Sequence, residues 1–75
     1  MPEKVMIFGK NTWPFTVEAR EAYAKEGRTI DYINVQENPD NLEEMFKHSD
    51  GKRKVPVIVD KDEVTIGFKG RTWGV

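Results

Sequence analysis

The stretch that decides the fold runs from Val5 to Thr16 and reads Val-Met-Ile-Phe-Gly-Lys-Asn-Thr-Trp-Pro-Phe-Thr. Its first part, residues 5–8, is a short continuous apolar run, which is typical of a strand buried on both faces of a sheet. From Thr12 onward the apolar residues recur at helical spacing, and Pro14 suits the first turn of a helix. The stretch therefore predicts a central strand that leads directly into a helix.

The rest of the chain continues the alternation of strands and helices. Gly27 is expected to end the first helix as its C-terminal cap. The further elements predicted are a strand at 30–35, a helix that begins at Asn38-Pro39 and ends at Ser49–Gly51, and a hairpin with strands at 55–59 and 64–66. The order β-α-β-α-β-β predicts an α/β fold with a mixed four-stranded sheet, in one domain over residues 1–75. Residues 71–75 are too few for a further full helix.

Composition excludes several classes of function. The chain has 75 residues and a net charge of −1, with 12 basic and 13 acidic residues, so nothing points to nucleic acid. It has no cysteine, which excludes disulfides, thiolate metal sites and thiol catalysis in this chain. Its one histidine, His48, has no second histidine with which to bind a metal, and we expect a surface role for it. No apolar stretch approaches the ~20 residues of a membrane span, so we expect a cytoplasmic protein. We also expect it to be a monomer.

A proline at the start of a strand next to a helix start has a use in thiol chemistry. Val55-Pro56 opens the predicted third strand, where a backbone carbonyl and N–H pair can hold a peptide-like disulfide as an extra strand. A nucleophile at a helix start has its anion stabilised by unpaired N–H groups and by the helix dipole. Position 13 is such a helix start, and Lys10 adds a nearby positive charge.

These features together closely resemble the glutaredoxin branch of the thioredoxin fold over nearly the whole chain. The resemblance is carried by the order of elements, by Lys10 and Pro14-Phe15 around position 13, and by Val55-Pro56. It implies a thioredoxin-like fold, which we expect to be truncated here, because glutaredoxins normally end in a further helix and residues 71–75 are too few for one. It implies thiol–disulfide oxidoreduction with glutathione as co-substrate and no covalently bound cofactor, with glutathione or protein disulfides as partners. The chain is also similar to short bacterial glutaredoxin-like proteins in which selenocysteine can be the nucleophile.

The resemblance assigns roles to individual residues. Trp13 occupies the nucleophile position and Thr16 the resolving position, so both catalytic positions are replaced and a one-thiol or one-selenol mechanism is implied. Lys10 is implied to contact glutathione, Pro56 to follow a cis peptide bond, and Val55 to pair with the cysteinyl backbone of glutathione. The substrate-binding residues predicted in this way are Lys10, Pro14, Phe15, Val55, Pro56 and Gly67.

Two departures from the family pattern leave alternatives open. Trp13 cannot perform exchange, so we expect this chain to be redox-inactive; a misread selenocysteine or cysteine codon, a substitution for expression and natural loss all explain it. Residues 67–70, Gly-Phe-Lys-Gly, stand where the family usually has Gly-Gly and an acidic residue. The chain is alternatively a non-catalytic module that binds glutathione or a peptide, or an interaction protein. Phe68 and Trp73 are either core filling in place of the missing helix or an exposed patch that recruits a partner, and the interaction protein would use the patch.

Overall fold

The computed structural model describes residues 4–61 and 63–74. In chain order its elements are β1 (Lys4–Gly9), α1 (Pro14–Lys25), β2 (Thr29–Asn34), α2 (Pro39–Ser49), β3 (Lys54–Val55), β4 (Val57–Asp60), β5 (Glu63–Ile66) and β6 (Trp73–Gly74). This order confirms the predicted α/β arrangement, with two differences. The strand expected over 55–59 is divided at Pro56 into β3 and β4, and β6 was not expected.

The main sheet has four strands in the order β2-β1-β4-β5. Strand β1 runs parallel to β2, from the pair Lys4 and Thr29 to the pair Gly9 and Asn34. Strand β4 is antiparallel to both β1 and β5. The mixed sheet is therefore the one predicted. Strands β3 and β6 form a separate antiparallel pair, and the division at Pro56 has a simple cause, because proline has no N–H to donate to a ladder.

The two central strands of the sheet, β1 and β4, are buried on both faces. On the α2 side the buried core is Phe8, Val35, Met45, Val55, Val57 and Val59. On the α1 side it is Val5, Ile7, Ala19 and Ile58. Strand β1 thus sends Phe8 to one core and Ile7 to the other, because successive side chains on a strand point to opposite faces. The continuous apolar run at residues 5–8 is explained by this position in the middle of the sheet.

The helix ends follow the predicted capping residues. After α1, Gly27 has a positive φ of 77°, its N–H donates to Ala24, and the next N–H, of Arg28, donates to Tyr23. These two hydrogen bonds form a Schellman motif, which ends the helix at the expected glycine. At the start of α2, the side chain of Asn38 accepts from the N–H of Asp40 at 2.8 Å. Neither of these described helices is long and apolar enough to cross a membrane.

Candidate functional site

Trp13 lies at the beginning of α1, where the sequence placed the nucleophile position. It is the N-cap residue, with extended backbone angles, and within the described chain its side chain makes no capping hydrogen bond. Its carbonyl accepts from the N–H of Thr16 at 3.0 Å, and its own N–H donates to the carbonyl of Lys10 at 3.2 Å. The first turn of α1 contains no acidic side chain. A group on residue 13 therefore lies beside the positive end of the helix dipole.

Thr16 lies beneath this helix start and is fully buried. It packs against Gly9, at the end of β1: a Cβ placed on that glycine would lie 2.4 Å from Cγ2 of Thr16 and 2.7 Å from Oγ1. Among the described residues the Thr16 hydroxyl has no hydrogen-bond partner. The predicted resolving position thus faces the protein interior and also fixes how closely α1 approaches β1.

Two aromatic side chains, Phe15 and Trp73, contact the ring of Trp13, and we call the three residues the aromatic cluster. The ring of Trp13 lies 5.0 Å from that of Trp73 and 5.2 Å from that of Phe15, in tilted arrangements that aromatic pairs favour. The cluster is joined to the protein interior because Trp13 also packs against the core on the α2 side. The indole Nε1 of Trp13 is buried and has no hydrogen-bond partner among the described residues.

Two cations lie over the aromatic cluster. Lys10 is almost fully buried, and its ammonium nitrogen lies 4.3 Å from the ring centre of Trp73, within cation–π distance. The guanidinium of Arg71 lies 5.8 Å from the ring centre of Phe15. The positive charge predicted near position 13 is thus the ammonium group of Lys10, which lies against the ring of Trp73.

The predicted substrate-binding edge lies at β3. The Val55-Pro56 peptide bond is cis, as predicted. The carbonyl of Pro56 accepts from the N–H of Gly67 at 2.7 Å, which joins these two predicted residues. Val55 is paired with Trp73, and Lys54 with Gly74, in an antiparallel ladder. The backbone edge assigned to substrate is therefore covered by β6 of the same chain.

The loop before α1 is held by a neighbouring strand. The hydroxyl of Tyr32, on β2, donates to the side-chain oxygen of Asn11 at 2.7 Å. Burial raises the pKa of Tyr32 above its usual value, so this hydroxyl remains a donor to a higher pH than that of an exposed tyrosine. The guanidinium of Arg20 lies 4.1 Å from the centre of the Tyr32 ring. These contacts connect the position of residues 10–13 to the main sheet.

The structure brings most of the predicted site residues together and adds one. Lys10, Trp13 and Val55 all contact or pair with Trp73, which the sequence offered only as core filling or as a patch with Phe68. Phe68 instead packs against the core on the α1 side. Because β6 is only two residues long, it leaves no periodic pattern in the sequence. The aromatic residue itself was the only signal for this role.

The other predicted residues take varied positions. Pro14 is exposed at the first position of α1. His48 is half-buried, with its ring 5.5 Å from that of Phe8 on the core side, rather than on the open surface. Residues 4–61 and 63–74 contain no group of three or more His, Cys, Asp or Glu side chains that could hold a metal ion. A groove of about 420 Å³ lies between α1 and β2, away from these residues, and is lined by Val17, Arg20, Glu21, Ala24, Ile30 and Tyr32.

Comparisons with known proteins agree with this fold. The chain is similar to the glutaredoxin (grx-1) of Archaeoglobus fulgidus, whose crystal structure superposes with a TM-score of 0.75 at 24% identity, over 89% of this chain and 77% of that one. At 24% identity, this structural similarity is evidence for the fold alone. No curated protein matches the chain. The glutaredoxin family model matches residues 5–65, which extend from β1 into β5. Since that match covers most of the sequence, the chain belongs to the glutaredoxin family.

Proposed function

We propose that this chain carries the scaffold of a glutathione-linked thiol–disulfide oxidoreductase of one-thiol type, with its nucleophile position at residue 13. The observation that supports the proposal best is that Trp13 is the N-cap of α1 and that its ring contacts Trp73, the residue paired with Val55. Membership of the glutaredoxin family supports oxidoreductase-like chemistry in general. The indole of Trp13 has no thiol or selenol, so the chain as it stands does not carry out exchange.

The chemistry proposed for a thiolate or selenolate at position 13 has two steps. The anion attacks the glutathione sulfur of a mixed disulfide, the disulfide bond breaks, and the other thiolate leaves and takes up a proton. A second glutathione thiolate then attacks the new mixed disulfide, which releases oxidised glutathione and restores the anion at position 13. The start of α1 and the charge of Lys10 stabilise that anion in both steps. Thr16 has no thiol to resolve the intermediate, which is why a second glutathione is required.

The experiment is to restore the nucleophile by Trp13→Cys. We expect the variant to reduce a glutathione mixed disulfide in an assay coupled to glutathione reductase, while the parent chain shows no turnover. The matched control is Lys25→Cys, which places one cysteine at the other end of the same helix and should also be inactive. A folded Trp13→Cys variant whose rate equals that of Lys25→Cys would refute the proposed site.

A second function is favoured by the pairing of Val55 with Trp73. That pairing supports a non-catalytic module whose β3 edge accepts an extended backbone, such as glutathione or a peptide. Glutathione should bind the parent weakly, because the γ-glutamyl contact is altered at residues 67–70 and Trp13 crowds the position of the sulfur. A chemical-shift titration with glutathione tests this function, which predicts the largest changes at Lys10, Val55 and Gly67.

We further propose that the chain is a cytoplasmic monomer without membrane partners. Because the charge of the sequence is balanced, we propose no nucleic-acid partner either.

A further inference from the structure

The segment 72–74 carries β6, whose two residues cover the β3 edge as an added strand. This segment lies beyond the part of the chain that the family model matches. Only two residues on each side take part, Lys54 and Val55 facing Gly74 and Trp73. A ladder of this length contributes few backbone hydrogen bonds, and isolated two-stranded pairs are marginal in water. The position of β6 therefore depends on what the Trp73 side chain contacts.

The Trp73 side chain contacts both an aromatic ring and a cation. The ring of Trp13 lies 5.0 Å from that of Trp73, centre to centre, and the ammonium nitrogen of Lys10 lies 4.3 Å from the Trp73 ring centre. Trp73 nevertheless remains 47% exposed, whereas Lys10 is only 9% exposed. Trp13 and Lys10 thus form a fixed receptor for an aromatic side chain, and Trp73 occupies it from outside.

The turn that precedes this segment is anchored separately. Phe68 and Arg71 exchange two backbone hydrogen bonds, each 3.0 Å long, and Phe68 packs against the core on the α1 side. Gly67, held to Pro56, begins the turn. Residues 72–74 can consequently leave the β3 edge while residues 67–71 keep their contacts.

We propose that the β3 edge, together with Trp13 and Lys10, is a binding site for extended peptide segments that carry an aromatic side chain opposite Val55, and that residues 72–74 are its internal occupant. The backbone of the ligand adds to β3 as an antiparallel strand, and its aromatic ring replaces that of Trp73 against Trp13. In this chain Trp13 is then a ligand-binding residue. The inference deepens the binding-module form of the proposed function and rests on it for the location of the groove.

Internal occupancy lowers the apparent affinity for a ligand supplied from outside. Only the fraction of molecules in which β6 has left the edge can bind, and the apparent dissociation constant rises in inverse proportion to that fraction. If β6 covers the edge in about nine molecules of ten, its removal tightens binding about tenfold. Trp73→Ala removes the contacts with Trp13 and Lys10 and leaves the receptor intact.

The test is a chemical-shift titration of the ¹⁵N-labelled full chain with the peptide acetyl-Arg-Thr-Trp-Gly-amide. We expect Trp73→Ala to bind it about tenfold more tightly than the parent, with changes at Lys54, Val55 and the indole N–H of Trp13. The same peptide with alanine in place of tryptophan should bind at least about tenfold more weakly, because the aromatic contacts are lost. Trp13→Ala/Trp73→Ala should lose the preference for the aromatic peptide.

Several results would overturn the inference. Equal affinity of Trp73→Ala and the parent, equal binding of the two peptides, or changes confined to the groove between α1 and β2 would each contradict it. Dimerisation of the parent through exchanged 72–74 segments would also contradict internal occupancy. If Trp73→Ala does not fold, the titration of the parent is the test. Excess peptide must then displace Trp73 from the β3 edge and shift the indole N–H resonance of Trp73. Turnover by Trp13→Cys tests the oxidoreductase proposal separately, so the two failures can be distinguished.

Discussion

The contact between Gly9 and Thr16 sets the distance between the strand and the helix that hold the site. An alanine at position 9 would place its Cβ 2.4 Å from Cγ2 and 2.7 Å from Oγ1 of Thr16. Neither atom can move away easily, because Thr16 is fully buried and a β-branched side chain has few χ1 alternatives in a helix. Gly9→Ala therefore requires a shift of α1 relative to β1.

The size of this effect follows from typical costs of overpacking. Inserting a methyl group into a tightly packed interior costs about 1–3 kcal/mol. Part of this is offset because alanine loses less backbone entropy than glycine on folding, which is worth about 0.5–1 kcal/mol. We expect Gly9→Ala to lower the free energy of unfolding by about 1–2 kcal/mol, which lowers the Tm by roughly 4–16 °C in a domain of this size.

A double-mutant cycle assigns the loss to this contact. Thr16→Ala removes Cγ2 and Oγ1 and leaves only Cβ, 3.1 Å from the added methyl group. Gly9→Ala should therefore cost about 1 kcal/mol less in the Thr16→Ala background than in the parent. Urea unfolding of the parent, the two single variants and the double variant gives the coupling energy. Additivity within about 0.5 kcal/mol would show that the two residues do not compete for space, and the reasoning would be refuted.

Two further predictions concern polar side chains. Thr16→Val should raise the free energy of unfolding by about 1 kcal/mol in urea unfolding, because it replaces a buried hydroxyl without a partner by a methyl group; a loss of stability would mean that the hydroxyl is satisfied in solution. Hydrogen bonds from Arg28 lower the pKa of Asp60 below its usual 3.8. The pair therefore stabilises the folded state fully at pH values above 3.8, and this stabilisation is lost as the pH falls through the lowered pKa of Asp60. Unfolding measured at a series of acid pH values should show a weaker pH dependence for Asp60→Asn than for the parent, and an unchanged dependence would count against the pair.

Much of the fold could be predicted because the determining signals are local. The apolar run at residues 5–8, the proline at the first turn of α1 and the Asn38 cap each act within a few residues, and each element formed as predicted. Strand burial and helix capping depend on residues close together in the sequence. The cis bond before Pro56 is also present, but it was predicted from the resemblance to the glutaredoxin family and not from a local signal.

The remaining features depend on contacts between distant parts of the chain. The burial of Thr16 is decided by how α1 lies on β1, which the helical spacing does not define. The place of Trp73 depends on a turn in which Gly67, Lys69 and Gly70 have positive φ. The direction of that turn, and hence the pairing of Trp73 with Val55, arises only in the folded chain.

The central claim is that residue 13 occupies a nucleophile position created by the start of α1. The most direct measurement is the thiol pKa of Trp13→Cys, taken from the ultraviolet absorbance of the thiolate as a function of pH. The helix dipole and Lys10 should place it clearly below the ~8.5 of a free cysteine. The thiol of Lys25→Cys, at the opposite end of the same helix, should not be lowered. A thiol at position 13 that titrates at or above the value for Lys25→Cys would contradict the account.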